Sequence, residues 1–208
     1  MYKCKNSIII TIGRTFGSGA REIGRKVAEE LGIPFFDKEL LEAEAKEGRI
    51  CVEYLNMYDE KRPSGFLYSM ALNPYAYRPN EIESLDMLAR NIQTKAIKDI
   101  AGLGSCVIVG RCADQILRDE HDILSVFISA SLEKRIERVS KRDRTSEKES
   151  KKIIIKADRS RRAFYNSYGE GEWGKAGNYN LCIDSGDLGI DNSAAMILQY
   201  LILKGQII

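Results

Sequence analysis

The sequence predicts an α/β fold, a five-stranded and mainly parallel sheet with helices on both faces. Three observations carry this. Five short apolar runs, at residues 7–12, 34–36, 106–109, 123–128 and 179–183, have strand length, and four are too continuous for a sheet with one wet face. Helical patterns alternate with these runs, as parallel strands joined by right-handed crossovers require. The first run also passes through a glycine-rich turn straight into a helix. The chain has 208 residues, 44% of them hydrophobic, enough for one sizeable core, and reads as a single domain over 1–208.

The elements follow in order. After the strand at 7–12, a helix over 20–31 places Ile23, Val27, Ala28 and Leu31 on one stripe, and Gly32-Ile33-Pro34 stops it. Further helices are expected over 38–47, 82–101, 132–142, 146–168 and 192–203. Ser146-x-x-Glu149 is a capping-box pattern at the head of the fourth of these. Two stretches break the alternation. Residues 42–90 carry helix-breaking glycines and prolines with Tyr54, Tyr58, Tyr68, Tyr75 and Tyr77, whose rings stack on a base or fill a small core. Residues 141–177 are highly charged. Both read as insertions projecting over a site.

Composition narrows the function classes. A formal charge of +2, from 32 basic and 30 acidic residues, offers no bulk polycation, so no nucleic-acid partner is expected. No apolar run approaches the roughly 20 residues of a membrane span, so a cytoplasmic protein without membrane contact is expected. The 5 cysteines are odd in number and lack CxxC or Cys/His spacing, consistent with reduced, core-filling thiols. His121 is the single histidine, which rules out a metal cluster or triad with several histidines.

The order strand, glycine turn, helix builds an anion cradle. Backbone N–H groups and the positive end of the helix dipole converge on one point, and phosphate is the expected occupant. The standard loop G-x-x-x-x-G-K-[ST] adds a lysine for the β/γ-phosphates and a hydroxyl for magnesium. Here Gly13, Gly17 and Gly19 supply the flexible backbone, at a spacing one residue longer than standard. Ala20 stands at the lysine position and Arg21 at the Ser/Thr position. Arg14 or Arg21 is the candidate for the missing charge, and Thr15 or Ser18 for the hydroxyl. The plainer alternative is a turn that only joins strand to helix.

These residues belong to an ordered set. Ile12-Gly13-Arg14-x-Phe16-Gly17-Ser18-Gly19-x-Arg21-Glu22-Ile23-Gly24 is followed by Gly32-Ile33-Pro34-Phe35-Phe36-Asp37 and Val107-Ile108-Val109-Gly110-Arg111. The helix at 131–142, Asp158-Arg159-x-Arg161-Arg162 and Asp184-Ser185 complete it. The set resembles the cytidylate kinase-like family, related to true cytidylate kinases within the P-loop nucleoside monophosphate kinases. It spans most of the chain, and only residues 48–90 lack landmarks. The resemblance implies a core (1–40, 96–140, 177–208), a monophosphate-binding insertion (41–95) and a lid (141–176) closing over two nucleotides. It implies small-molecule nucleotides as partners, with ATP and Mg2+ as cofactors. Phosphoryl transfer needs mostly positioning and cancellation of charge, which basic residues on a closing lid suit.

Each candidate has a plainer role beside the functional one. Asp37, at the carboxyl edge of the sheet where open α/β folds bind ligands, matches an Asp near the acceptor phosphate and metal in the similar kinases; its plainer role is an N-cap. Arg111 ends the third strand and suits a bidentate phosphate contact. In true cytidylate kinases the comparable segment reads Asp-Gly-Arg-Asp; here Val109 and Cys112 replace its acids, which removes an acid that usually stands behind the magnesium and weakens the case for cytosine recognition. Arg159 and Arg162, three apart on a helix, share a face, while Arg161 is expected to point elsewhere. Arg138 and Arg142 form a second pair. The plainer role for all four is a solvated charged face. Asp184-Ser185-Gly186 approaches an adenine or ribose, or is a turn. Trp173 is a lid tip that orders on closing, or a packing anchor.

The leading expectation is therefore ATP-dependent phosphoryl transfer to a nucleoside monophosphate, CMP or dCMP foremost. Arg14, Arg21, Asp37, Arg159 and Arg162 are its catalytic candidates. Gly13, Thr15, Gly17, Ser18, Gly19, Arg138 and Arg142 are placed on the nucleotide donor, and Asp37 with Arg111 on the acceptor. No protein ligand to the metal is assigned. The alternatives are a nucleotide-binding protein with a degenerate loop and little or no transfer, and a kinase for a non-nucleotide small acceptor.

Overall fold

The structure, a computed structural model, describes residues 2, 4–37, 79–168 and 171–208. The helix expected at 38–47 and the tyrosines at 54–77 lie outside the described residues. The described elements run β1 (Ile9–Arg14), α1 (Ala20–Leu31), β2 (Phe35–Phe36), α2 (Pro79–Gly102), β3 (Cys106–Val109), α3 (Ala113–Leu117), β4 (Ile123–Ser129), α4 (Leu132–Asp143), α5 (Glu147–Asn166), β5 (Leu181–Asp184) and α6 (Ser185–Leu203). The five strands form one sheet in the order β2-β3-β1-β4-β5, and every pairing is parallel.

The continuous apolar runs follow from burial of both sheet faces. Ile8, Ile10 and Ile12 pack with Ile23 and Val27 of α1 and with Ile197 and Leu201 of α6. Their neighbour Ile9 points the other way, into a cluster with Ile97 of α2, Ile108 of β3 and Leu117 of α3. A third cluster, Cys112, Phe127, Tyr165, Trp173 and Tyr179, lies beneath α5. Trp173 meets Phe127 edge-on at 5.5 Å, so it is a packing anchor in this structure. Cys4, Cys106, Cys112 and Cys182 form no disulfide among the described residues, and burial pushes the Cys106 thiol up to about 11. None of the described helices is long and apolar enough to cross a membrane.

Element boundaries differ from expectation where tertiary contacts decide them. β1 runs on to Arg14 because Gly13 and Arg14 pair with Phe127 and Ile128 of β4. The last helix begins at Ser185 rather than 192, with a kink at Gly189 (φ 75°, ψ 178°). α3 is a single short turn that the sequence pattern did not announce. The capping box heading α5 is formed in both directions between Ser146 and Glu149.

α5 is set by its inward face. Ser150, Ile154 and Tyr165 are buried, and Tyr165 donates to Asp114 of α3 at 2.6 Å. Asp158 and Arg161 fall on the same stripe, at spacings of 4, 3 and 4 from Ile154 to Tyr165. Both therefore turn toward the loop that follows β1.

Candidate active site

The loop between β1 and α1 takes the shape its glycines allow. Gly17 (φ +79°) and Gly19 (φ +78°) sit in the left-handed region, where a side chain is strained. A Cβ on Gly17 would lie 2.8 Å from Val139 of α4, and one on Gly19 would strike Ile190. Gly19 is the N-cap of α1 and contributes no side-chain cap. The first-turn N–H groups have no intrahelical acceptors, as at any helix start, and an anion is their natural partner. Thr15 Oγ1, Ser18 Oγ and Arg135 Nε are buried without a hydrogen-bond partner among the described residues.

The loop carbonyls, by contrast, are held from outside. Arg135 donates to Phe16 O (3.2 Å), Arg138 to Gly17 O (2.8 Å) and Arg161 to Arg14 O (3.5 Å). Ser185 donates to Ser18 O. The Phe16 N–H donates to Asp158 Oδ1 (2.7 Å), whose other oxygen accepts from Arg135 (2.5 Å). The Phe16 ring lies under the Arg142 and Arg161 guanidiniums, each 5.3 Å from its centroid.

The adjoining end of β3 carries three consecutive residues with positive φ: Gly110 (84°), Arg111 (61°) and Cys112 (56°). Such conformations in non-glycine residues cost about 1–3 kcal/mol each and gather at functional sites. A Cβ on Gly110 would run into the Arg14 guanidinium, so Arg14 lies directly over that turn. Arg111 is buried, and Gln93 of α2 donates to its carbonyl at 3.2 Å and to Tyr168 Oη at 2.7 Å. On the other side, Arg21 donates through Nε to Asp37 Oδ2 at 2.5 Å. Asp37 is buried at the end of β2, and Arg21 is half exposed in the first turn of α1.

The structure therefore brings Arg14, Thr15, Gly17, Ser18, Gly19, Arg138, Arg142, Arg111, Arg21 and Asp37 to one sheet edge. Arg159 is exposed on the far side of α5, and Arg162 stacks on Trp173 at 5.7 Å. Arg161 reaches the loop instead, because the buried Ile154 and Tyr165 fix the helix rotation. Gly13 lies in β1 itself, packed against Phe127 and Tyr179. Asp114 stays in a buried pair with Tyr165; burial pushes its carboxyl above the usual range and Tyr165 up to about 12. His121 sits in the turn after α3, away from the loop. Arg135 and Gln93 were not singled out from sequence, and Asp158 and Ser185 stood there only as landmarks of the resemblance, Ser185 also in the Asp184-Ser185-Gly186 segment read as an adenine or ribose contact or a turn. The signal for Asp158 was its place on the Ile154–Tyr165 stripe.

Comparison with known proteins decides the family. The model of the cytidylate kinase-like family matches residues 9–187. The chain belongs to the cytidylate kinase-like family. A cytidylate kinase from Pyrobaculum aerophilum is 24% identical over 196 residues, covering 93% of this chain and 92% of that one. An uncharacterized protein from Eubacterium ventriosum is similar in structure, with a TM-score of 0.71 and 31% identity, over 93% of this chain and 98% of the other. A shikimate kinase from Bacteroides thetaiotaomicron shares the fold at a TM-score of 0.55 and 14% identity, over 93% and 98% of the two chains. The fold of this cytidylate kinase-like chain is that of P-loop kinases.

The groups at the loop fit a phosphate chain: left-handed glycines, an uncapped helix start and orphaned donors. Among the described residues they build no protein-held magnesium site. The carboxylates beside the loop, Asp37 and Asp158, are each paired with an arginine, and Arg21 stands where a hydroxyl ligand belongs. Magnesium commonly keeps several waters and binds through substrate phosphates. An ion arriving with ATP fits that mode.

Proposed function

We propose that this protein transfers the γ-phosphoryl group of ATP to a nucleoside monophosphate, with CMP or dCMP as the acceptor. The observation that carries the reading is the glycine loop after β1, clasped by arginines of α4 and α5, in a chain of the cytidylate kinase-like family. The bond between the γ-phosphorus and the bridging oxygen of ATP breaks. A bond from that phosphorus to an oxygen of the acceptor phosphate forms, giving ADP and the nucleoside diphosphate.

In this reading Thr15, Gly17, Ser18 and Gly19 hold the donor phosphates through backbone and hydroxyl groups, at the end of the strand that contains Gly13. Arg14, over Gly110 between the loop and Arg111, supplies the charge that Ala20 lacks. Arg21 neutralises Asp37 and presents the rest of its guanidinium toward the reacting phosphates. Arg111 and Asp37 face the acceptor. Residues 41–95 form the acceptor-binding insertion and 141–176 the lid; Arg138, Arg142 and Arg161 supply the positive charge beside the loop, while Arg159 and Arg162, expected there from sequence, lie away from it. The protein works in the cytoplasm. The test is ADP release coupled to a reporter, with ATP, Mg2+ and a panel of nucleoside monophosphates. Turnover favouring CMP supports the reading, and background rates across the panel reject it.

A second reading is nucleotide binding without transfer. The specific observation favouring it is the joint replacement at Ala20, Arg21 and Val109 of groups that usually stabilise the transferring charge; losing one such group typically costs orders of magnitude in rate. Stabilisation against heat by ATP, with no turnover on any monophosphate, selects this reading.

A further inference from the structure

We propose that Arg135 is a positioning residue of the anion loop: with Asp158 it fixes the Phe16–Gly17 peptide so that its N–H faces a bound phosphate. The inference rests on the loop being a phosphate site and is independent of whether phosphoryl transfer follows.

One ion pair satisfies both backbone polar groups of Phe16. Arg135 Nη1 donates to Phe16 O at 3.2 Å and to Asp158 Oδ2 at 2.5 Å, while Asp158 Oδ1 accepts from Phe16 N at 2.7 Å. Side-chain exposure is only 12% for Arg135 and 19% for Asp158, so solvent screens the pair little. The pair spans α4 and α5, and α5 cannot turn away cheaply. Ile154 and Tyr165 flank Asp158 on its buried stripe, and Tyr165 is tied to Asp114.

The consequence follows from peptide geometry. In a planar trans peptide the C=O and the next N–H point in opposite directions. A Phe16 carbonyl turned to Arg135 therefore turns the Gly17 N–H away from the α4–α5 wall, toward the open side of the loop. A guanidinium on the carbonyl also polarises the peptide and strengthens the donor on its other side. Ser185 on Ser18 O does the same, without charge, for the Gly19 N–H. Arg135 thus strengthens the loop's backbone donors, in addition to the charge that Arg14 supplies. The rival is that Asp158 is itself a stand-in anion, which a phosphate has to displace. The two ideas predict opposite signs for removal of the carboxylate charge.

The experiment measures binding of inorganic pyrophosphate and of ATP, each without metal, by calorimetry. It uses wild type, Arg135→Met, Arg135→Lys and Asp158→Asn, with ligand-free melting curves alongside. Arg135→Met is expected to weaken both anions by about tenfold or more, the scale of a lost charge-assisted hydrogen bond. Arg135→Lys should recover part of this, because one ammonium cannot reproduce the guanidinium fork. Asp158→Asn should weaken binding several-fold. In amide proton–nitrogen spectra the Gly17 resonance should move on adding pyrophosphate to wild type and move less in Arg135→Lys. If Arg135→Met fails to fold, Arg135→Lys and Asp158→Asn decide. Unchanged affinity in the Arg135 variants, tighter binding by Asp158→Asn, or no binding of either anion by wild type would overturn the proposal. Wild type that binds both anions but never phosphorylates a nucleotide would sink the kinase reading alone.

Discussion

Arg21 and Asp37 are joined by a 2.5 Å hydrogen bond that links the first turn of α1 to the end of β2. The pair occupies the place where a phosphate loop ordinarily anchors a metal through a hydroxyl. It ties the two side chains together, with the Arg21 guanidinium beside the loop and the Asp37 carboxylate behind it.

For that pair, Arg21→Ala and Asp37→Asn should each lower kcat/KM for CMP phosphorylation by about tenfold or more. The double variant should be little worse than the poorer single one, since residues acting as a unit are not additive. Steady-state kinetics on the three variants checks this. Multiplicative losses would show two independent roles.

Gly110 should not tolerate a side chain. Its φ of +84° lies in the region that favours glycine, and an added Cβ would displace the Arg14 guanidinium. Gly110→Ala should cost about 1–3 kcal/mol, or about 2–4 °C of Tm for each kcal/mol in a chain this size. Activity should fall with it. Gly102→Ala is the control, since no atom lies within 4 Å of its added Cβ. Its stability should change by no more than an ordinary surface substitution does, about ±0.5 kcal/mol.

The Asp114–Tyr165 pair makes stability depend on pH. Burial raises the Asp114 carboxyl above its ordinary 3.8. A raised pKa means that the folded state holds the proton when the unfolded chain has released it. The contribution is therefore complete below about 3.8 and is lost as pH rises through the folded value. Asp114→Asn should flatten this fall in denaturant melts taken from pH 4 to 8, while keeping an acceptor for Tyr165. Tyr165→Phe should destabilise by about 1–3 kcal/mol at pH 7, because it strips the hydrogen bond from a buried carboxylate. It should do so less in the Asp114→Asn background.

Much of the scaffold was legible because burial on both faces leaves a plain trace. Residues 106–109 are apolar without interruption, 123–128 are broken only by Ser125, and the helix at 20–31 shows a clean stripe. The end of β1 was not legible, since Gly13 and Arg14 are strand only through pairing with β4. The start of α6 was hidden by Gly186 and Gly189, which read as a turn until the kink is seen. At the site, the glycine turn and the arginines at 14, 21, 111, 138 and 142 stood out by type and place. The rotation of α5 did not. In a run as charged as 156–162, only the buried partners of Ile154 and Tyr165 show that Asp158 and Arg161 face inward, while Arg159 faces away. Arg135 was missed because its role is to hold a backbone carbonyl, which no side-chain motif records.

Phosphoryl transfer to CMP is read out by following the γ-phosphate itself. ATP labelled at the γ position, Mg2+ and CMP are incubated with the protein, and the labelled products are separated. Label is expected in CDP, one equivalent for each ADP formed, and is expected to be lost in Arg14→Ala. Label that stays in ATP or passes only to water, with protein that ATP still stabilises against heat, would contradict it.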